Sequence, residues 1–243
     1  MTMWWMPADK GAAPQRLTNI GSMQSPESWS PDGKMLAFTQ MDDPQSGSDI
    51  YVLPLDGVSK PQVFWRTKFS EGSPKFAPNG KWLAYSSNES SQPEVYLTEY
   101  PGPGKKITIS TNGGTDPLWR HDGRQLYYRL GDLMMVVDIS YGRSLEVSKP
   151  RVLWRGNYLA GAGSSCGMAG PTSSNYDVTP DGERFLMIED ASPAAECERL
   201  RVVSNWSLEL KNPAAIQLQS LAGEYMRPLY GLGQLWRGAP SHR

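Results

Sequence analysis

Reactive side chains are scarce in this chain of 243 residues, which has two cysteines and two histidines. Cys166 and Cys197 fall in no C-x-x-C or comparable ligand spacing, so neither a zinc site nor a dithiol redox motif is written in the sequence. They read as two independent thiols, with a disulfide as the alternative in an oxidising compartment. His121 lies in a turn and His242 next to the last residue, which leaves a serine nucleophile without a base and a metal without imidazole ligands. Charge bias is missing too. The 24 Lys and Arg against 25 Asp and Glu give a net of −1 with no basic run, so nucleic acid is not an expected partner. No stretch of about twenty apolar residues occurs, and no membrane insertion is expected. The start, Met1-Thr2-Met3-Trp4-Trp5-Met6-Pro7, has neither the basic flank nor the cleavage signal of a secretory leader. The chain as given is therefore expected to be cytoplasmic, unless it is part of a longer exported or membrane-anchored protein.

Turn formers and large aromatics are what the chain has in quantity: 24 Gly and 20 Pro beside 9 Trp, 11 Tyr and 5 Phe. That is the mix of an all-β chain with broad inter-sheet seams to fill. The turns repeat. Ser30-Pro31-Asp32-Gly33 is followed by Ala77-Pro78-Asn79-Gly80, Arg120-His121-Asp122-Gly123 and Thr179-Pro180-Asp181-Gly182, with the glycines 47, 43 and 59 residues apart. A supersecondary unit recurring at that period is the signature of propeller blades. Proline presets φ at the first central position of each tight turn, and glycine accepts the positive φ that follows.

Aligning on the glycines places Trp29, Phe76, Trp119 and Val178 four residues before each turn's end, on a first strand. Second strands follow at Met35-Leu36-Ala37-Phe38, Trp82-Leu83-Ala84-Tyr85, Gln125-Leu126-Tyr127-Tyr128 and Arg184-Phe185-Leu186-Met187, apolar runs suited to burial on both faces. With third and fourth strands added, the spacing predicts four-stranded blades over 25–66, 72–110 and 115–155, and at least three strands of another over 174–210. Residues 3–18 supply only the third and fourth strands of a blade that lacks its first half. An open array leaves an apolar blade face and unpaired edges in water, so self-association through that edge is an expectation. Two closures are open: a small ring of about four blades completed by the N-terminal pair, or a share of a larger ring. The last blade's own third strand, Leu200-Arg201-Val202-Val203, favours the larger ring. The propeller is expected over 1–210 and a tail over 211–243, with apolar residues at helical spacing predicting a short helix at 213–226.

Trp29-Ser30-Pro31-Asp32-Gly33-Lys34-Met35-Leu36-Ala37-Phe38 with Asp49-Ile50-Tyr51-Val52 resembles the repeat of TolB-type, WD40-like β-propellers. The stretch Glu71-Gly72-Ser73-Pro74-Lys75-Phe76-Ala77-Pro78-Asn79-Gly80-Lys81-Trp82-Leu83-Ala84-Tyr85 looks like the propellers that follow the kinase domain of bacterial serine/threonine kinase-type proteins. The similarity runs from about Trp4 to Leu210. It implies a propeller fold and a sensing or interaction module. It implies no kinase activity here, because the Gly-rich loop, the His-Arg-Asp loop and Asp-Phe-Gly are all missing from the sequence.

Candidate chemistry is thin. Gly163-Ser164-Ser165-Cys166-Gly167 fits G-x-S-x-G, but it stands in a Gly/Ser stretch over 157–174 rather than between a strand and a helix, so no catalytic serine is assigned. Asp42, Asp43 and Asp49 share a hairpin without the ordered spacing of a calcium loop, so they read as a solvated turn. No metal, no cofactor and no catalytic residue is expected. The segments leading from each fourth strand to the next first strand gather at one mouth of a propeller. They carry Ser25, Glu27, Glu71, Ser73, Asn112, Thr115, Asp116, Ser174 and Asn175, the candidate contact set for a protein or peptide partner. The rival expectation is a hydrolase, a glycosidase or esterase using channel carboxylates, or the propeller of a peptidase whose catalytic domain is absent.

Overall fold

A computed structural model of the protein describes residues 2–8, 11–19, 22–102, 104–142, 144–156, 158 and 176–188. Ser174 and Asn175, Ser165, both cysteines, strand 200–203 and the helix expected at 213–226 lie outside them.

The four turns are near copies. In each, the glycine N–H donates to the carbonyl oxygen three residues back: Gly33 to Ser30 at 2.8 Å, Gly80 to Ala77 at 2.8 Å, Gly123 to Arg120 at 2.9 Å and Gly182 to Thr179 at 2.7 Å. The glycines have φ of 69°, 69°, 73° and 76°, where a Cβ would be strained. In each turn the Asp or Asn side chain accepts from the amide two residues on: Asp32 from Lys34 at 3.1 Å, Asn79 from Lys81 at 2.9 Å, Asp122 from Arg124 at 2.9 Å and Asp181 from Glu183 at 3.0 Å. This local bond explains the preference for a short polar side chain at that position. His121 replaces proline without altering the turn.

Each turn joins the first two strands of an antiparallel sheet. The first blade orders β3 (Gln24–Trp29), β4 (Met35–Asp43), β5 (Gly47–Pro54) and β6 (Gln62–Trp65) side by side. The second has β7 (Glu71–Phe76), β8 (Trp82–Ser87), β9 (Glu94–Glu99) and β10 (Lys106–Thr108) in the same arrangement. The third blade differs from expectation. Its β11 (Thr115–Trp119), β12 (Gln125–Leu130) and β13 (Leu133–Tyr141) are followed by an extra β14 (Leu145–Val147) before β15 (Arg151–Arg155), because β13 runs past the blade far enough to pair with both. Two half sheets flank the blades. One is β1 (Trp4–Trp5) paired with β2 (Gln15–Arg16), and the other is β16 (Tyr176–Val178) paired with β17 (Phe185–Met187).

The core lies between sheets rather than inside one. Ala37, Ile50, Val52 and Phe64 of the first blade pack on Phe76, Leu83 and Tyr85 of the second. Ala84, Val95 and Leu97 of the second pack on Trp119, Leu126 and Tyr128 of the third. Met3 and Leu17 cover Leu36, Phe38, Tyr51 and Leu53 on one side of the array, and Tyr176 and Phe185 cover Tyr127, Met134 and Val136 on the other. Every second strand of the three blades is therefore sandwiched, which is why these runs lose the in-and-out alternation of a half-exposed strand. The fourth second strand is not: Leu186 is exposed. First strands sit next to one another, β3 on β7 and β7 on β11, and so form the inner side of the array.

Candidate functional site

On that inner side each first strand carries a break in register just before its bulky residue. The shifts fall between Pro26 and Ser28, Gly72 and Lys75, and Thr115 and Leu118. In the second and third blades the bulged residue is a non-glycine in the left-handed region, Ser73 and Asp116, both at φ 54°. Each precedes a proline, which removes one N–H from the ladder and fits a strand only at such a bulge. Left-handed backbone at a β-carbon-bearing residue costs on the order of 1 kcal/mol and persists only when its surroundings hold it. Here neighbouring blades hold it. The Ser73 amide donates to Thr39 Oγ1 of the first blade at 3.3 Å, and the Asp116 carbonyl accepts the Tyr176 hydroxyl at 2.7 Å.

Two of the acidic candidates, Glu27 and Glu71, are enclosed, the first by the next blade and the second by its own. Glu27, its carboxyl enclosed, pairs with Lys75 Nζ of the next blade at 3.3 Å, and the same ammonium donates to the Glu27 carbonyl at 3.0 Å. Burial nevertheless lifts the Glu27 pKa above the ordinary value, with Lys75 opposing the rise. Glu71 is 0% exposed. Its Oε1 accepts the Thr67 and Ser87 hydroxyls, its Oε2 has no partner, and burial raises its pKa as well. Ser73 and Asp116 are buried, Ser25 and Thr115 are half-buried, and Asn112 is exposed in the loop between β10 and β11. The structure thus sets Ser25 and Glu27 on β3, Glu71 and Ser73 on β7, and Thr115 and Asp116 on β11, at the starts of strands rather than on free loops. It brings their strands together and turns most of the acids inward.

Several charged residues outside the candidate set organise this region. Asp49, expected in a solvated turn, is buried in β5 and accepts from Arg66 Nε at 2.8 Å, while Arg66 also reaches the Tyr51 hydroxyl at 2.6 Å. Glu94, first residue of β9, takes the Ser110 hydroxyl and the Gly113 amide, the latter at 2.8 Å. Asp132 stands just before β13 and pairs with Arg155 at 3.5 Å. An acid at the start of each third strand therefore latches the end of its fourth. The signal was present in the sequence as a carboxylate before each of three apolar runs. Arg129 gave no such signal. It is buried in β12 with Nη2 donating to the carbonyls of Gly131 and Tyr158. No group of three or more His, Cys, Asp or Glu is placed to hold a metal among the described residues.

No family model and no curated protein matches the sequence. Solved structures do match the fold. TolB from Acinetobacter baumannii superposes with a TM-score of 0.54 at 17% identity, covering 79% of this chain and 44% of that one. A TolB-assigned protein from Agrobacterium tumefaciens gives 0.50 at 20% identity, over 77% of this chain and 64% of that one. The chain has a TolB-type β-propeller fold. It spans less than two thirds of the length of either of these structures. A puromycin-hydrolysing peptidase from Mycobacterium tuberculosis is similar at a TM-score of 0.49 and 20% identity, over 72% of this chain and 30% of that one. In this propeller the inner strands are bulged in register with one another, and their polar groups bond across blades.

Proposed function

We propose that the propeller is a non-catalytic module that binds a protein or peptide partner at the starts of its first strands. One observation carries this reading: the carboxylates best placed for chemistry are committed to the scaffold. Glu27 is bound to Lys75, Glu71 is sealed behind Thr67 and Ser87, and the buried Asp116 carboxylate accepts the Thr115 hydroxyl at 3.0 Å. A general acid or base must reach the proton it moves, and a residue with no exposed surface does not. What remains at the rim is a fixed backbone with short neutral side chains, Ser25, Asn112 and Thr115. Such groups suit hydrogen bonding to another chain, and rigidity at the rim lowers the entropy lost on binding. The kinase-associated setting suggested by the repeat belongs to the same reading, with the propeller as the sensing or docking part of a larger protein.

Site-specific photo-crosslinkers test the reading. Probes at Asn112 and Thr115 are expected to trap a partner that a probe at Val58, exposed in the loop between β5 and β6, does not trap. Trapping from Val58 alone moves the site to another face. Hydrolysis of ester, peptide or glycoside substrates by the purified chain, lost in Glu71→Gln, replaces the binding reading with the enzymatic one.

A further inference from the structure

The sequence holds two Asn-Gly dipeptides, Asn79-Gly80 in the second blade's turn and Asn112-Gly113 in the segment joining β10 to β11. In both places the backbone needs the glycine. Gly80 has φ 69°, and Gly113 has φ 111° with Leu130 Cδ1 2.9 Å from the position its Cβ would take. Both asparagines are exposed. An asparagine before glycine is open to attack by the main chain on its own side chain, because the glycine nitrogen has no neighbouring Cβ to hinder the approach.

The two sites differ in how that attack is restrained. Asn79 Oδ1 accepts from the Lys81 amide at 2.9 Å, which fixes the side chain, and the Gly80 N–H donates to the Ala77 carbonyl at 2.8 Å. Asn112 stands at φ 71°, and among the described residues its side chain has no hydrogen-bond partner. The Gly113 N–H donates to Glu94 Oε1 at 2.8 Å. A carboxylate can take that proton, and a peptide carbonyl cannot. Asn112-Gly113 therefore combines a free side chain with a nitrogen that already faces a base. Asn79-Gly80 has neither.

We infer that Asn112 is a site of spontaneous deamidation at the rim and that Asn79 is protected by its turn. Glu94 accepts the Gly113 proton as the Gly113 nitrogen bonds to Asn112 Cγ. The Cγ–Nδ2 bond then breaks, and the nitrogen leaves with that proton as ammonia, which closes a succinimide. Water opens the ring in one of two ways. Cleavage of the new Cγ–N bond gives aspartate, and cleavage between the Asn112 carbonyl carbon and the Gly113 nitrogen gives isoaspartate, with the main chain rerouted through the side chain. Either product puts a carboxylate at the rim. Isoaspartate also lengthens the backbone beside Gly113 and Gly114, whose amides tie this segment to Glu94 and to the Pro93 carbonyl at 2.8 Å each. At Asn79 the aspartate product would be silent, since Asp32, Asp122 and Asp181 already fill that turn position. The conversion itself is independent of the partner proposed above, while its effect on binding rests on that reading.

Peptide mapping of the purified full chain, aged in mildly alkaline buffer, tests it. Trypsin separates the two sites, cutting after Lys75 and Lys81 to release peptide 76–81 and after Lys106 and Arg120 to release peptide 107–120. In the folded chain, peptide 107–120 is expected to gain aspartate and isoaspartate forms about ten times faster than peptide 76–81, and the two rates are expected to converge in guanidinium chloride, where both restraints are gone. Glu94→Gln still offers the Gly113 amide an acceptor but cannot take its proton, so conversion at Asn112 is expected to slow severalfold with an unchanged circular dichroism spectrum. Equal folded-state rates at the two sites overturn the inference, as does an Asn112 that stays intact while the unfolded chain converts. Faster conversion in a folded Glu94→Gln overturns the part given to Glu94 as base. Trapping through a photo-crosslinker at Thr115 is expected to fall in the aged chain, and unchanged trapping after conversion overturns the effect on binding. A fresh chain that traps nothing fails the partner reading alone and leaves the mapping result to decide the site.

Discussion

The indole nitrogen of Trp119 donates to the carbonyl oxygen of Lys75 across the seam between the second and third blades, at 3.1 Å. Trp29 holds the same repeat position and lies half exposed. The two residues are interchangeable in the sequence pattern and differ only in whether another blade stands before them.

Phenylalanine at the two positions separates these roles. Trp119→Phe leaves the Lys75 carbonyl in a seam without its donor, and a loss of about 1 kcal/mol or somewhat more is expected. Trp29→Phe, at a position 53% exposed, is expected to stay within about 0.5 kcal/mol. Urea denaturation measures both, and equal losses would contradict the assignment.

Glu27 and Lys75 form the ion pair that ties the first two inner strands together. Lys75→Met leaves a carboxyl enclosed without its cation, and a destabilisation of about 3 kcal/mol at neutral pH is expected. Since burial already raises the Glu27 pKa, losing the ammonium raises it further, and the penalty shrinks in acid. The double variant Lys75→Met, Glu27→Gln is expected to recover most of the loss. A double-mutant cycle with additive effects would show that the pair is not coupled.

Glu71 sets a pH dependence of the opposite sense to that of a surface salt bridge. Its folded-state pKa is raised above the ordinary 4.5, so the folded chain holds the proton more tightly than the unfolded chain. The stabilisation is complete below 4.5 and is lost as pH rises through the folded value. Glu71→Gln keeps an acceptor for the Thr67 hydroxyl and removes the titration. The variant's melting temperature relative to wild type is therefore expected to climb between about pH 4 and pH 8. Parallel melting curves across that range would rule the effect out.

Much of the architecture was legible because it is local. A Pro-Asp-Gly turn is fixed by its own residues, through the positive φ of Gly33 and the bond from the Lys34 amide to Asp32, so each copy announces a hairpin wherever it lies. The doubly buried second strands were legible for a related reason, since Leu83-Ala84-Tyr85 has no polar face to offer water. The candidate site was legible only as positions along the chain. Nothing around Glu71 in the sequence says that Thr67 and Ser87 close over it, and nothing around Asp49 says that Arg66 reaches back to it. The extra strand Leu145–Val147 was missed because it owes its existence to the overrun of its neighbour, Leu133–Tyr141, and not to a pattern of its own.

By itself the sequence determined the repeat and the turn that starts each hairpin, because hydrogen bonds within a few residues and apolar periodicity carry that information. Only the tertiary structure decided which carboxylates face inward, which of two equivalent tryptophans is covered, and why Ser73 and Asp116 tolerate left-handed backbone. The strain at Ser73 and Asp116, the cover over Trp119 and the pairing of Glu27 depend on groups contributed by adjacent blades, and Glu71 depends on Thr67 and on Ser87 of the next strand of its own blade. Burial, pKa and the cost of strain are set by which side chains the fold brings together, and no local pattern states that.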